Sequence, residues 1–296
     1  MTPPLRSFVP VLALCAAAAC SDNESPSPSI PGRLAFVSNR GRLGQYDIFA
    51  INGDGTDLDN LTDSLAYDDW PAWSPDGTKL AFQSDRDVNA TSPLDIYVMN
   101  ADGTNVVQLT SDTTREGQPA WSPDGMKIAF VSNRDSSNHI YVMSVDGTSV
   151  TQLTSGSWAD AQPAWSPDGT KIAFVSNRDG NEEVYVMDAS GENLVNLTSH
   201  AAFDDAPTWS PDGTRIAFMS SRVGGSFGIF VMSADGSGVT PVTMSDIPDE
   251  FPAWSPDGSY IAFDSGSDLW VVKPDGSGVD QVTGGNAIDF LPRWRP

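Results

Sequence analysis

The sequence predicts an all-β fold of six four-stranded blades closed into a ring, and three regularities predict it. Trp-Ser-Pro-Asp-Gly is written at Trp73, Trp121, Trp165, Trp209 and Trp254, with intervals of 48, 44, 44 and 45 residues. A period of roughly 40 to 50 residues belongs to repeated supersecondary units that bury their faces against their neighbours. Ala-Phe pairs end at Phe36, Phe82, Phe130, Phe174, Phe218 and Phe263, which makes six units. Each unit closes on a Thr (Thr62, Thr110, Thr154, Thr198, Thr243, Thr283), and nine residues later comes Pro71, Pro119, Pro163, Pro207, Pro252 or Pro292.

Those positions do not begin and end together. The first unit opens at Gly32-Arg33-Leu34-Ala35-Phe36 without a Pro-x-Trp segment, and a spare one stands at Pro292-Arg293-Trp294, near the C-terminus. The last segment therefore completes the first blade. A six-bladed β-propeller stitched in this way leaves no long unpaired strand edge.

Within a unit the elements follow in order. The Pro-x-Trp strand comes first, then Ser-Pro-Asp-Gly, a tight-turn sequence in which Pro presets φ and Gly relieves the last position. Lys127-Ile128-Ala129-Phe130-Val131 and Ile140-Tyr141-Val142-Met143 represent the second and third strands. Both are apolar on two faces, as strands sandwiched between neighbouring sheets must be. An Asp-Gly turn and a Leu-Thr or Val-Thr end complete the unit. Nothing between Gly32 and Pro296 has helical periodicity with caps.

Residues 1–19 read as a secretory signal: Arg6 is followed by an apolar run and four alanines, a stretch too short to span a bilayer. Ala17-Ala18-Ala19-Cys20 has the small-residue pattern of a bacterial lipoprotein signal, so Cys20 is the expected lipidation site and residues 20–31, rich in Ser and Pro, the tether. Cys15 follows bulky Leu14 and fits less well. With only Cys20 left after processing, no disulfide can form within the mature chain.

The formal net charge is −23, from 39 acids and 16 bases, and so acidic a surface repels nucleic acid. Ten of the acids stand in turns: Asp76, Asp124, Asp168, Asp212, Asp257, Asp54, Asp102, Asp146, Asp235 and Asp275. Their work there is conformational. A further acid lies three residues before each strand-opening Pro, at Asp68, Glu116, Asp160, Asp204, Asp249 and Asp289; an Arg lies four residues after Phe at Arg40, Arg86, Arg134, Arg178 and Arg222. Folding about the turn sets each acid opposite its Arg. The bridges either pin strand ends or form an acidic collar at the channel mouth partly masked by arginine.

The sixth unit departs from the rule, with Ser267 in the Arg position and a shortened loop. Asp249, Glu250, Asp264 and Asp268 are then expected on one rim without a nearby base, a donor set suited to a hard cation such as Ca2+ or else a solvated acidic patch. The same rim gathers Tyr67, Trp70, Trp158, Phe203, Phe251 and Phe290, aromatics that do not repeat from unit to unit and that suit a binding face.

Catalytic patterns are weak. Gly224-Gly225-Ser226-Phe227-Gly228 spells a hydrolase nucleophile motif but has no helix after it, and His139 and His200 both precede it. Two distant histidines and no spare Cys give no zinc or iron site. Paired rim acids leave open a glycosidase or lyase.

Residues 32–296 resemble the TolB-type (WD40-like) β-propeller family, through the repeated Pro-Ala-Trp-Ser-Pro-Asp-Gly-x-x-Ile-Ala-Phe-x-Ser-x-Arg and Ile-Tyr-Val-Met-x-x-Asp-Gly. The resemblance implies a bacterial envelope protein whose propeller binds other proteins, in TolB itself a peptidoglycan-associated lipoprotein. Two features differ from TolB: no N-terminal α/β domain is legible, and the signal is of lipoprotein type. The expectation is a monomeric, lipid-anchored ring on the periplasmic side or cell surface, binding a protein or peptide without catalysis. Its alternative is a carbohydrate-active enzyme using rim carboxylates. For the anchor, Cys20→Ser is expected to abolish incorporation of a palmitate analogue and to leave precursor unprocessed. Labelling that survives the substitution would overturn acylation.

Overall fold

The computed structural model describes residues 30–41, 44–86, 94–111, 113–222 and 226–296; the signal segment, Cys20 and most of the tether lie outside them, as do Gly224 and Gly225. Among the described residues every regular element is a strand, and the strands form six four-stranded antiparallel sheets. In the second blade the order from the axis outward is Asp68–Trp73, Lys79–Ser84, Asp95–Asn100 and Val107–Gln108. The outermost strand has two residues in every blade, so the propeller presents very little edge to solvent.

The first blade is built from both ends of the chain. Asp289–Trp294 pairs antiparallel with Arg33–Ser38, with Leu34 opposite Trp294 and Ser38 opposite Asp289. The C-terminal segment thus takes the inner place that the sequence left vacant.

Core packing follows from the alternation of Ala and Phe on the second strand. Successive residues face opposite sides of a sheet, so Ala35 and Phe36 point to different neighbours. Ala35, Ile48 and Ala50 of the first blade receive Trp73, Leu80, Phe82 and Tyr97 of the second. On the other side Phe36, Phe49 and Trp294 pack on Ala253, Ala262 and Val271 of the sixth. Each blade therefore offers a small-residue face to one neighbour and a large-residue face to the other. The phenylalanines at 36, 82, 130, 174 and 218 are fully buried.

Tryptophans and threonines of the repeat add directed contacts. Trp73 Nε1 donates to Arg293 O at 3.1 Å and Trp121 Nε1 to Ala72 O at 3.1 Å, each reaching the inner strand of the preceding blade. The closing threonines accept the N–H of the second residue of each third strand: Thr62 Oγ1 from Ile48 N at 2.9 Å, and likewise Thr110, Thr154, Thr198, Thr243 and Thr283.

Every inner strand also carries a bulge just before its Pro, because Pro has no N–H for the ladder. The residue before it is left-handed in all six blades: Trp70 (φ 51°), Gln118 (53°), Gln162 (53°), Ala206 (53°), Phe251 (50°) and Leu291 (54°). A conformation uncommon for non-glycine residues is here a repeated architectural device.

Deleting residues 291–296 removes four of the six residues of the closing strand, the buried Trp294 among them. The loss of Trp294 packing alone is worth about 3–5 kcal/mol. We expect thermal unfolding of the truncated ring well below that of the intact protein, and an unchanged melting temperature would contradict closure by this strand.

Candidate binding face and channel

The acids before each Pro are completely buried: Asp68, Glu116, Asp160, Asp204 and Asp289 have no solvent exposure. Arg86 Nη2 meets Asp68 Oδ1 at 2.8 Å, Arg178 meets Asp160 at 2.8 Å and Arg222 meets Asp204 at 2.6 Å, while Arg134 pairs with Glu116 and Arg40 with Asp289. The repeated Ser is the third member. Arg86 Nε donates to Ser84 Oγ at 2.9 Å, and Ser38 Oγ donates to Asp289 Oδ1 at 2.6 Å. The guanidinium also lies over the aromatic pair of its blade, Arg86 Cζ being 4.8 Å from the Phe82 ring centroid and 5.0 Å from that of Tyr97. Buried carboxylates held this way tie inner strand to second strand. They are not an exposed collar at the channel mouth, because each side chain turns into its own blade. The Arg40–Asp289 bridge performs the same service across the ring closure.

A second row, polar in five of its six members and not recognised as a row from the sequence, opens the third strands: Asp47, Asp95, His139, Glu183, Gly228 and Asp268. Each stands 15 residues before its closing Thr, so the repeat carried the signal. Asp95 accepts from Gln108 Nε2 and from Thr110 Oγ1, both at 3.1 Å. His139 Nδ1 lies 3.3 Å from Asp160 Oδ2 in the next blade.

Asp268 belongs to that row, and this corrects the expected four-acid cluster. Its Oδ2 accepts from Gln281 Nε2 at 3.1 Å, and it senses Arg40 and Asp289 of the first blade. Asp249 faces Ser265 in the ladder and Ser245 Oγ, whereas its neighbour Glu250 faces Asp264 on the opposite side of the sheet. Asp264 is enclosed, accepts Leu291 N at 3.2 Å and lies near Arg293, a base the sequence reading overlooked. The period-2 alternation of strands divides the four acids. Among the described residues no three His, Cys, Asp or Glu side chains are placed to hold a metal ion. Ser267 occupies a two-residue hairpin turn with Gly266, both at positive φ (83° and 62°), which leaves no loop to carry an arginine back over the blade.

The rim aromatics separate into several roles. Tyr67 and Phe290 both pack edge-on against Tyr46, with centroids 5.5 Å away. Trp158 lies under Arg178 at 5.0 Å. Phe203 is 49% exposed. Trp70 and Phe251 meet edge to face at 5.8 Å although their blades, the second and sixth, are not neighbours. Their contact spans the mouth of the axial channel in front of Leu291. Also exposed on the loops entering the inner strands are Leu65 (76%), Met244 (66%), Ile247 (53%) and Ile288 (41%), which widen the apolar face beyond the aromatics.

Inside the mouth the bulge N–H groups are capped from the preceding blade. Gln118 N donates to Gln83 Oε1 at 2.9 Å, Gln162 N to Gln118 Oε1 at 2.8 Å and Ala206 N to Gln162 Oε1 at 2.7 Å. Leu291 N uses Asp264 in the same way. Below this level the channel encloses about 220 Å³ lined by Trp70, Gln118, Gln162, the inner-strand prolines and Arg293.

Burial also moves the carboxyls near the mouth. Asp69 and Asp205 are pushed up to about 7, chiefly by desolvation; hydrogen bonds from Tyr67 and Gln83 oppose the shift at Asp69, and that from Ala206 N–H opposes it at Asp205. Asp264 is raised well above the usual carboxylate range by the same cause. The turn acids move the other way: hydrogen bonds from Ser and Thr hydroxyls and backbone N–H groups pull Asp76 and Asp212 to about 2.

A family model described as the TolB beta propeller domain matches residues 88–162 and 156–296. Over 68 residues the chain is 43% identical to an uncharacterised protein of Agrobacterium fabrum, a match that covers 22% of each chain. TolB from Acinetobacter baumannii superposes with a TM-score of 0.78 at 25% identity, over 90% of this chain and 67% of that one. A protein described as putative TolB from Agrobacterium tumefaciens gives 0.71 at 22% identity, over 90% and 99%.

The opposed shifts set the pH profile. The turn acids support the fold above their ordinary value of 3.8, and that support is lost as pH falls toward about 2. Asp69 and Asp205 bind protons in the native state that the unfolded chain has released, so their contribution to stability falls as pH rises from about 4 to 7 and then levels off. Stability is expected to peak near about pH 4–5. Replacing both Asp69 and Asp205 by Asn should remove their share of the decline between about pH 5 and 8, leaving that of Asp264, a gain of a few kcal/mol at pH 8. Denaturant midpoints that fall equally in the double variant would contradict this assignment.

Proposed function

The chain belongs to the TolB β-propeller domain family, and on that premise we propose that it is a non-catalytic binding propeller of the bacterial cell envelope. It is tethered through Cys20 and engages a protein or peptide on the face where its inner strands begin. The observation that carries this reading is the contrast between the two ends of the ring. One end repeats the Ser-Pro-Asp-Gly turn five times. The other differs in every blade and exposes Leu65, Phe203, Met244, Ile247 and Ile288 beside the Trp70–Phe251 pair. Exposed apolar side chains within an otherwise strongly acidic surface suit a partner with an apolar core contact and a basic rim.

A lyase or glycosidase would need two carboxyls open to a bound sugar. The cross-strand pair Glu250 and Asp264 has its Asp enclosed and committed to Leu291 N–H, which favours binding over catalysis.

Photo-crosslinking residues placed at 203 and 247 in cells are expected to capture a discrete envelope partner. The same residues at Met126, on the turn end, should not. Phe203→Glu combined with Ile247→Glu should lower capture about tenfold or more without shifting the melting temperature. Equal capture from both ends, or none from either, would reject this face.

A further inference from the structure

One position of the repeat is altered inside the channel. The residue after the inner-strand Pro is Ala72, Ala120, Ala164, Thr208 or Ala253 in five blades and Arg293 in the first. Ala72, Ala120, Ala164 and Thr208 line the channel with small side chains, whereas Arg293 reaches it with a long one. It lines the 220 Å³ channel, with Trp70 and the amides of Gln118 and Gln162 around it.

Its bonding is incomplete. Nη1 donates to Pro292 O at 2.8 Å. Among the described residues no carboxylate lies within ion-pair distance; Asp264 acts on it only at longer range. Burial lowers its pKa to about 10, which still leaves it charged at neutral pH. A guanidinium has five N–H donors in a planar fork, and one half-buried in the channel with no anion beside it has donors left to offer a ligand. Gln118 adds to the donor surplus. Its Oε1 is committed to Gln162 N–H, and what remains to offer the cavity is its NH2 group.

We propose that the channel binds a carboxylate, held by the Arg293 fork inside the ring. The volume fits a small organic acid or the end of a peptide chain rather than a folded domain, and the planar fork matches a carboxylate in two parallel hydrogen bonds. This site lies inside the ring, shares Trp70 with the outer face, and is tested without regard to what that face engages.

The test titrates the purified protein with sodium propionate, with trialanine and with trialanine amide, each against sodium chloride at equal ionic strength, reading melting temperature and the Arg293 side-chain resonance. A saturable rise in melting temperature with propionate or free trialanine is expected. Stabilisation by the free tripeptide but not its amide assigns the site to a chain terminus; stabilisation by propionate alone assigns it to a small acid. Arg293→Ala restores the residue that four of the other five blades carry, so the ring should fold with a melting temperature no lower than the original and lose the response. Arg293→Lys keeps the charge without the fork and should weaken binding about tenfold. No response beyond chloride in the unaltered protein, or an equal response in Arg293→Ala, would overturn the proposal.

Discussion

The packing of a small-residue face against a large-residue face, repeated between every two blades, is the constraint on which the rest of the structure depends. Ala35 and Ala50 make room for Phe82 and Trp73, and Ala253 and Ala262 make room for Phe36 and Trp294. Because the two faces are not interchangeable, each blade can stack only in one sense, and the stack must turn. Close-packed interiors tolerate little change in volume, so the sizes of these side chains fix the angle between blades and hence the width of the channel. Closure by Asp289–Trp294 uses the same interlock as every other interface, which is why a blade assembled from both ends of the chain looks like the rest.

Charge is distributed by the same logic. Most of the large acidic excess has a local assignment: in turns, where Ser and Thr hydroxyls and backbone N–H groups hold Asp76 and its counterparts; in the buried Ser–acid–Arg sets; and at the start of third strands. Five arginines are drawn into the blades by those sets. A buried carboxylate without its partner would be strongly destabilising, so these bridges specify strand register more than they add stability. The sixth blade has no arginine there and takes a tight hairpin instead.

The channel and its mouth are products of the inner-strand prolines. Each Pro interrupts the ladder, the residue before it turns left-handed, and its side chain leaves the sheet for the axis. Six such positions converge there: two aromatics touch across the opening, two glutamines cap neighbouring backbone N–H groups, and the rest are small or aliphatic. The shape of the channel mouth therefore depends on six residues of free choice mounted on a repeated backbone device, while the scaffold around them is held constant.

Much of the architecture was legible in the sequence because it is local and repeated. The spacing from Thr to Pro counts six blades, the spare Pro292-Arg293-Trp294 announces the closure, and the 18-residue step from Asp68 to Arg86 pairs acid with base across one turn. Each of these needs only strand geometry within one blade. What the tertiary structure alone decided lies between blades. Glu250 and Asp249 read as adjacent acids, yet strand alternation sends them to opposite faces, and the expected four-acid cluster divides. Trp70 and Phe251 are 181 residues apart and in blades that do not touch; they meet because the ring closes at a radius set by Ala and Phe volumes. Arg293 reads as one more variable residue beside a Pro, and only the closed channel makes it a half-buried charge without an ion pair. Repeats inform a sequence about neighbours in a blade, whereas contacts across an axis depend on how many blades close and how tightly they pack.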